Sequence, residues 1–336
     1  MTDSASRSAA LLEVRSLTKH FDLRRGLRRL VQRPERHTIR ALDGVSLRLR
    51  RGETLGIIGE SGCGKTTLGR TILRLHEPTA GEVRFDGVDL AGLDATALKA
   101  MRRRMQIIFQ DPYASLNPRR NVEQIVGQGI LIHETVPRAQ MIERVGAMLG
   151  RVGLSAAHLR RYPHQYSGGQ RQRIGIARAL VLRPELVVCD EPVSALDVSI
   201  QAQILALLRE LKDELGLTYL FISHDLSVVA HVSDRVAVMY LGQIVEQGPA
   251  RALLRDPAHP YTRALLAAVP RVDASEQATT TTLTGDPPSP LDPPPACRFH
   301  SRCPHVMPIC RERAPDMTMV TVDHEVACHL HGASVT

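Results

Sequence analysis

Gly59-Glu60-Ser61-Gly62-Cys63-Gly64-Lys65-Thr66 is the stretch that decides the reading of this chain. It fits G-x-x-x-x-G-K-[ST], and Thr67 continues it. Thr54 to Ile58 precede it as a short apolar run, which predicts a buried strand. Thr66 to Leu75 follow with helical spacing. Strand, glycine turn and helix are the context that a phosphate-binding loop needs. Glycines let successive N–H groups curl toward phosphate oxygens. The N-terminus of the following helix adds its dipole. Lys65 is expected to reach the β- and γ-phosphates of a nucleotide, and the Thr66 hydroxyl to bind Mg²⁺.

Downstream, Leu186 to Cys189 read as a strand buried on both faces, as in a parallel sheet. Asp190 and Glu191 end it. Two adjacent carboxylates are poor core residues, and a magnesium nucleotide explains them. Asp190 is expected to hold Mg²⁺ and Glu191 to orient and polarise the attacking water.

Between these motifs lies Tyr166-Ser167-Gly168-Gly169-Gln170. It resembles the signature motif of ATP-binding cassette (ABC) proteins, Leu-Ser-Gly-Gly-Gln, with tyrosine in place of leucine. Arg171 to Leu180 resemble that family's signature helix. The other motifs of the family then fall in order. Gln110, after the strand-like Met105 to Phe109, matches the Q-loop. Ser194-Ala195-Leu196-Asp197 matches the D-loop. His224, after the strand-like Tyr219 to Ile222, matches the switch histidine. Phe21 is the aromatic expected to stack on adenine. The resemblance implies a P-loop NTPase fold, α/β and three-layered, with a helical insert. It implies ATP and Mg²⁺, the metal meeting Thr66, Gln110 and Asp190. It also implies two cassettes packed head to tail, so that Ser167, Gly168, Gly169 and Gln170 act in trans on the γ-phosphate held by a partner's loop. ATP then closes the pair and hydrolysis opens it.

The chain has 336 residues, enough for one large α/β domain and a smaller appendage. The expected boundaries are 11–250 for the ATPase domain, with its helical subdomain at about 111–180, and 251–336 for an extension. No run of eighteen or more apolar residues occurs, so no membrane span is expected. The start is polar, and no signal peptide is expected. Tryptophan is absent and only 3% of residues are aromatic, which weakens any reading built on base stacking. The net charge is +8, and Arg24, Arg25, Arg28, Arg29, Arg33 and Arg36 crowd one segment. A solvated loop is the first expectation there, contact with anionic lipid headgroups the second, and nucleic acid the third.

Residues 12–110 read as short strands and turns leading into the phosphate-loop unit, and 111–180 as mostly helical. Gln201 to Leu215 place Ile204, Leu205, Leu208 and Leu211 at helical spacing. Two short helices are expected around His259-Pro260-Tyr261. Asp273 to Leu283 is polar and threonine-rich, and Asp286 to Pro295 holds six prolines, a linker composition.

Beyond the linker, Cys297, Cys303, Cys310 and Cys328 are separated by five, six and seventeen residues. Disulfides are disfavoured in a cytosolic ATPase, so a metal site is expected. Zinc and iron–sulfur ligation both remain open on spacing alone. The segments around these cysteines resemble the C-terminal extension of ATPase subunits from oligopeptide and dipeptide importers. So do His259-Pro260-Tyr261-Thr262 and Phe109 to Pro118. That resemblance implies a 4Fe–4S cluster on the four thiolates. A mixed Cys/His zinc site drawing on His300, His305, His324 or His329 is the alternative. Cys63 and Cys189 are expected to be small core or loop residues. Changes at Cys303 are expected to loosen the tail while leaving ATP binding at Lys65 largely intact.

The function this implies is an ATP-hydrolysing subunit that energises an importer of di- or oligopeptides. It would sit peripherally on the cytoplasmic face of the inner membrane. Its partners would be two transmembrane permeases, a second, non-identical ATPase and, indirectly, an extracytoplasmic solute-binding protein. No nucleic-acid partner is expected. The alternatives are a soluble ABC ATPase in nucleic-acid or ribosome-linked work, or an importer of another solute such as nickel.

Overall fold

A computed structural model describes residues 10–23, 38–268, 285–286 and 288–332. The arginine-rich segment and the threonine-rich linker lie outside the described residues. The chain divides into two compact units.

The first unit comprises Leu49–Thr54 and Val88–Ile222, with Ala10 and Leu11. After the two-residue strand β5 (Val88–Asp89), its sheet runs β6 (Met105–Ile108), β7 (Leu186–Asp190), β8 (Thr218–Ile222), all parallel. Met105 stands opposite Leu186, and Leu186 opposite Thr218. Every residue of β7 and β8 is buried, which is why both read as unbroken apolar runs. Helix Val198–Leu215 buries Ile204, Leu207, Leu208 and Leu211 and stops at Gly216, whose φ of 65° is left-handed. Leu205, expected on the buried stripe, is only half-buried, and Leu207 takes its place.

Between β6 and β7 the chain is helical: Pro112–Ser115, Val122–His133, Arg138–Arg151 and Gly168–Leu180. Helix Val122–His133 opens on a capping box between Asn121 and Gln124. At the start of β7, Glu185 accepts from Arg51 (2.6 Å) and Arg104 (3.0 Å). The two guanidinium groups hold its carboxyl below the usual carboxylate range, chiefly through the Arg104 hydrogen bond.

The second unit comprises Leu12–Arg48, Leu55–Gly87 and Ser223–Thr336. Here β1 (Ala10–Asp22) pairs antiparallel with β4 (Ala80–Phe85), Leu12 opposite Phe85, and β2 (Thr38–Arg50) flanks β1 on its other side. β1 and β2 run for thirteen residues each rather than as short strands. β2 buries Val45, Leu47 and Leu49 and exposes the residues between them, the alternation of a sheet with one solvated face.

The same unit holds a mixed sheet in the order β11 (Met317–Thr321), β12 (His324–Ala327), β10 (Gln243–Pro249), β9 (Arg235–Tyr240), β3 (Thr54–Ile58). β3 and β9 are parallel, and the other neighbours antiparallel. The described residues beyond 285 are therefore built into this unit. β12 pairs with β10, Glu246 opposite Val326. The Glu246 carboxylate is fully buried and accepts from the backbone N–H groups of Ala258 (2.7 Å) and His259 (3.1 Å). His324 Nε2 lies 2.8 Å from it. Phe299 closes an aromatic cluster with Tyr240, Tyr261 and His259, with centroids 5.4 to 5.7 Å away.

Candidate functional site

The phosphate-loop residues sit in the second unit. After β3 the chain turns through Gly59 to Gly64 into helix Lys65–Ile72. Two of its glycines are required by space as well as by φ. At Gly59 (φ 149°) a Cβ would lie 2.2 Å from the Met239 carbonyl oxygen, and at Gly64 (φ 109°) 2.3 Å from that of Ala41. The helix has no side-chain cap, the arrangement that suits an anion at its first turn. Lys65 is buried, and its Nζ donates to the loop carbonyls of Gly59 (2.7 Å) and Glu60 (2.9 Å). The ammonium thus stands inside the curl of the loop. The loop geometry and the charge fit a phosphate chain.

Other expected residues fall in the same unit. Phe21 is half-buried, edge-on to His76 at 5.4 Å, with Lys19 Nζ 4.8 Å from its ring centre. His224 is exposed, between β8 and helix Leu226–Val232. Cys63 is buried, and its thiol is pushed up by desolvation, so it behaves as a small loop residue.

The first unit carries the carboxylates. Asp190 is buried at the end of β7. Glu191 has a left-handed φ of 48°, a costly conformation for a residue with a side chain. The strained turn carries the Glu191 carboxylate out of the strand, and Gln110 Nε2 donates to its Oε2 over 2.8 Å. The expected Q-loop and water-orienting residues are thereby brought together. Cys189 is fully buried, and burial pushes its thiol far up, as an inert core residue requires.

Ser167 is exposed and caps helix Gly168–Leu180. Its Oγ accepts from the Gln170 N–H (3.4 Å), while Gln170 Oε1 accepts from the Ser167 N–H (3.1 Å). Tyr166 is buried and donates its hydroxyl to the His158 carbonyl at 3.0 Å. The larger ring fills an apolar position and its polar tip is satisfied. Asp197 is the exposed N-cap of helix Val198–Leu215. A Cβ on Gly169 would lie 2.6 Å from Ile200 of that helix, so Gly169 is needed for close packing as well.

Three of the four C-terminal cysteines are half-buried, and Cys310 is buried. Burial first, and then the neighbouring Cys310, Cys328 and Cys303, raise the Cys297 thiol to about 11. Cys303 and Cys328 are also raised, first by burial and then by neighbouring cysteines. The Cys297 N–H donates to the Cys310 carbonyl at 3.1 Å. Among the described residues, however, no three His, Cys, Asp or Glu side chains are grouped so as to grip one metal ion. That arrangement supports neither the 4Fe–4S cluster nor the mixed Cys/His zinc alternative.

Comparison with known proteins settles the lineage. Residues 42–194 match the ABC transporter family, and residues 245–310 match the oligopeptide/dipeptide transporter C-terminal region. The oligopeptide transport ATP-binding protein AppF of Bacillus subtilis is 50% identical, over 98% of this chain and 99% of its own length. The dipeptide transport ATP-binding protein DppF of Escherichia coli is 48% identical, over 94% of this chain and 93% of its own. The chain belongs to the ABC transporter ATP-binding proteins. Among solved structures, the dimeric ABC cassette MJ0796 in a post-hydrolysis state with ADP and Pi aligns with a TM-score of 0.62 at 29% identity. That alignment covers 71% of this chain and 99% of the cassette. The fold is that of an ABC ATPase. No helix among the described residues is long and apolar enough to cross a membrane.

Sequence reasoning missed several residues around the phosphate loop of this ABC ATPase. Arg302 holds Glu60, Tyr261 receives the Glu60 N–H, and Arg298 bonds Asp43 and the Leu241 carbonyl. None carries a local signal, because each partner lies tens to hundreds of residues away. The tail residue next to Cys303 is bonded to the phosphate loop, a contact between tail and loop that the sequence did not signal.

Proposed function

We propose that this chain is the ATP-hydrolysing subunit of an importer of di- and oligopeptides. The observation that carries the reading is a likeness over nearly the whole length to two peptide-transport ATP-binding proteins, extension included. The loop from Gly59 to Thr67, including Glu60, Ser61, Gly62, Cys63, Gly64 and Lys65, binds the phosphates of ATP. Thr66, Gln110 and Asp190 hold Mg²⁺, which when bound neutralises charge on the β- and γ-phosphates. Glu191 orients the attacking water, and its bond to Gln110 supports that role. His224 contacts the γ-phosphate, and Phe21 stacks on adenine. Ser167, Gly168, Gly169 and Gln170, with the D-loop Asp197, serve the site of a second ATPase subunit. The exposed capped serine supports a role in trans.

The importer reading brings two permeases, a second, non-identical ATPase and an extracytoplasmic solute-binding protein, with this subunit peripheral on the cytoplasmic face of the inner membrane. Residues 11–250 form the ATPase domain and 251–336 the extension. Cys297, Cys303, Cys310 and Cys328 together hold a 4Fe–4S cluster in a structural or redox-sensing role. What supports it is the presence of four thiolates, the full ligand set of such a cluster, in one short segment.

Co-purification of the full chain, coupled to an assay of Mg²⁺-dependent ATP turnover, tests the reading. Recovery with two permeases and a second ATPase supports it. Recovery with ribosomes or nucleic acid overturns it in favour of a soluble ABC ATPase.

A further inference from the structure

Glu60, the second residue of the phosphate loop, is gripped by three side chains. Its carboxylate accepts two bonds from Arg302, Nη1 to Oε2 at 2.9 Å and Nη2 to Oε1 at 3.0 Å. This is the two-pronged match of guanidinium to carboxylate, which fixes orientation as well as distance. Its N–H donates to the Tyr261 hydroxyl at 2.9 Å. Its carbonyl accepts from Lys65 Nζ at 2.9 Å. Two of these three grips come from the chain beyond residue 250.

Arg302 is itself held. Its side chain is only 5% exposed. It ends the single turn His300–Arg302, and Phe299 just before that turn packs against Tyr240 and Tyr261. Nη1 also reaches the Tyr240 hydroxyl at 3.4 Å. A second route runs from the same turn to the same loop. Arg298 bonds Asp43 and the Leu241 carbonyl. The neighbouring Gly242 N–H holds the Cys63 carbonyl at 2.8 Å, and the Asp43 N–H holds the Gly242 carbonyl at 2.9 Å. The turn from Arg298 to Arg302 therefore braces the loop at Glu60 and, through Gly242, at Cys63.

We propose that Arg302 is a positioning residue for the phosphate loop: by fixing Glu60 it sets the loop carbonyls that aim Lys65, so the C-terminal extension is part of what makes the ATP site. The inference rests on the reading of Gly59–Thr66 as the ATP-binding loop. A buried guanidinium facing a carboxylate is costly to separate from it, because the remaining charge loses its partner inside the protein. The loop then shifts toward whatever satisfies Glu60, and Lys65 moves with it.

The test measures MgATP affinity by fluorescent nucleotide titration, and kcat and KM for ATP, on the full-length chain. The variants are Arg302→Ala, Arg302→Lys, Glu60→Gln and the double variant Arg302→Ala/Glu60→Gln, with Lys65→Ala as the control. Thermal unfolding checks that each is folded. Arg302→Ala is expected to weaken MgATP binding and raise KM about tenfold, the equivalent of roughly 1.4 kcal/mol, with kcat changing much less. Arg302→Lys keeps the charge but not the fork, and should fall between the two. The double variant should lose no more than the worse single one, since both remove the same contact. Should Arg302→Ala fail to fold, Arg302→Lys and Glu60→Gln carry the comparison. Wild-type affinity in the folded Arg302 variants, or losses that simply add, would overturn the proposal. If Lys65→Ala also bound ATP as the wild type does, the ATP-loop reading itself would fall, an outcome distinct from failure of Arg302 alone.

Discussion

Gln110 donates its side-chain amide to Glu191 Oε2 over 2.8 Å, while Glu191 sits in a left-handed turn at the end of β7. The bond joins strand ends 81 residues apart in sequence. It ties the group that is to meet the metal to the group that is to meet the water. A carboxylate can accept both the Gln110 N–H and a water proton. An amide in its place keeps the shape and loses the base.

Glu191→Gln is therefore expected to bind MgATP as the wild type does and to lose turnover by about 10²–10⁴, the usual worth of a positioned base. The closed, ATP-loaded pair should accumulate and be visible as a dimer by size-exclusion chromatography with light scattering. Near-normal hydrolysis would remove Glu191 from its assigned role.

Gly168→Asp probes the role in trans. A Cβ at Gly168 meets only Leu196 Cδ2, at 3.5 Å, whereas one at Gly169 would strike Ile200 at 2.6 Å. Gly168 is thus the cleaner position, because its own fold tolerates the Cβ. The added carboxylate should repel the partner's γ-phosphate, leaving nucleotide affinity of the single subunit within about twofold and turnover of the pair below about a tenth. Normal dimer formation and turnover would show that the signature does not face a second ATP.

His259 links stability to pH. It is buried, its Nδ1 accepts the Tyr261 N–H at 3.0 Å, and burial, aided by the charge of His331, pushes its pKa down to about 3. The unfolded histidine titrates near ~6.5. Between those values the unfolded chain binds a proton that the folded chain refuses. Stability is therefore fully present above ~pH 6.5 and falls with acidification, by up to about 1.4 kcal/mol per pH unit. Urea unfolding at pH 7.5, 6.5 and 5.5 should show a shallower decline for His259→Asn, which keeps a capping acceptor without the titration. Parallel declines would assign the acid sensitivity elsewhere.

The extension gives a chemical prediction. Protein prepared without oxygen should be brown and contain iron and acid-labile sulfide in near-equal amounts, at about four of each per chain for one 4Fe–4S cluster. Colourless protein with stoichiometric zinc would reverse that assignment. Because Arg302 adjoins Cys303 and bonds Glu60, Cys303→Ser should also weaken MgATP binding severalfold; unchanged affinity would uncouple the two.

What was legible in the sequence was local or periodic. The loop glycines read directly, because Gly59 and Gly64 stand where no side chain fits. β7 and β8 read directly because strands buried on both faces become continuous apolar runs. The tail read as a resemblance, which the match of residues 245–310 bears out, but its strands did not read. Its cysteines drew attention, while Met317–Thr321 and His324–Ala327, the strands that attach it to β10, carry little apolar signal and leave β11 mostly exposed. Glu246 with His324, and Glu60 with Arg302, were invisible because paired polar residues 78 and 242 positions apart leave no pattern in a local window. Leu207 replaced Leu205 on the buried helix stripe through a small rotation that spacing alone does not fix.

The most direct measurement is peptide accumulation in sealed vesicles carrying the two permeases, this chain and its partner ATPase, supplied with peptide-loaded binding protein. ATP placed on the side of this subunit should drive uptake of a labelled di- or oligopeptide. Uptake should vanish when this chain carries Glu191→Gln. ATP consumption with no peptide uptake, or uptake indifferent to Glu191→Gln, would contradict the account.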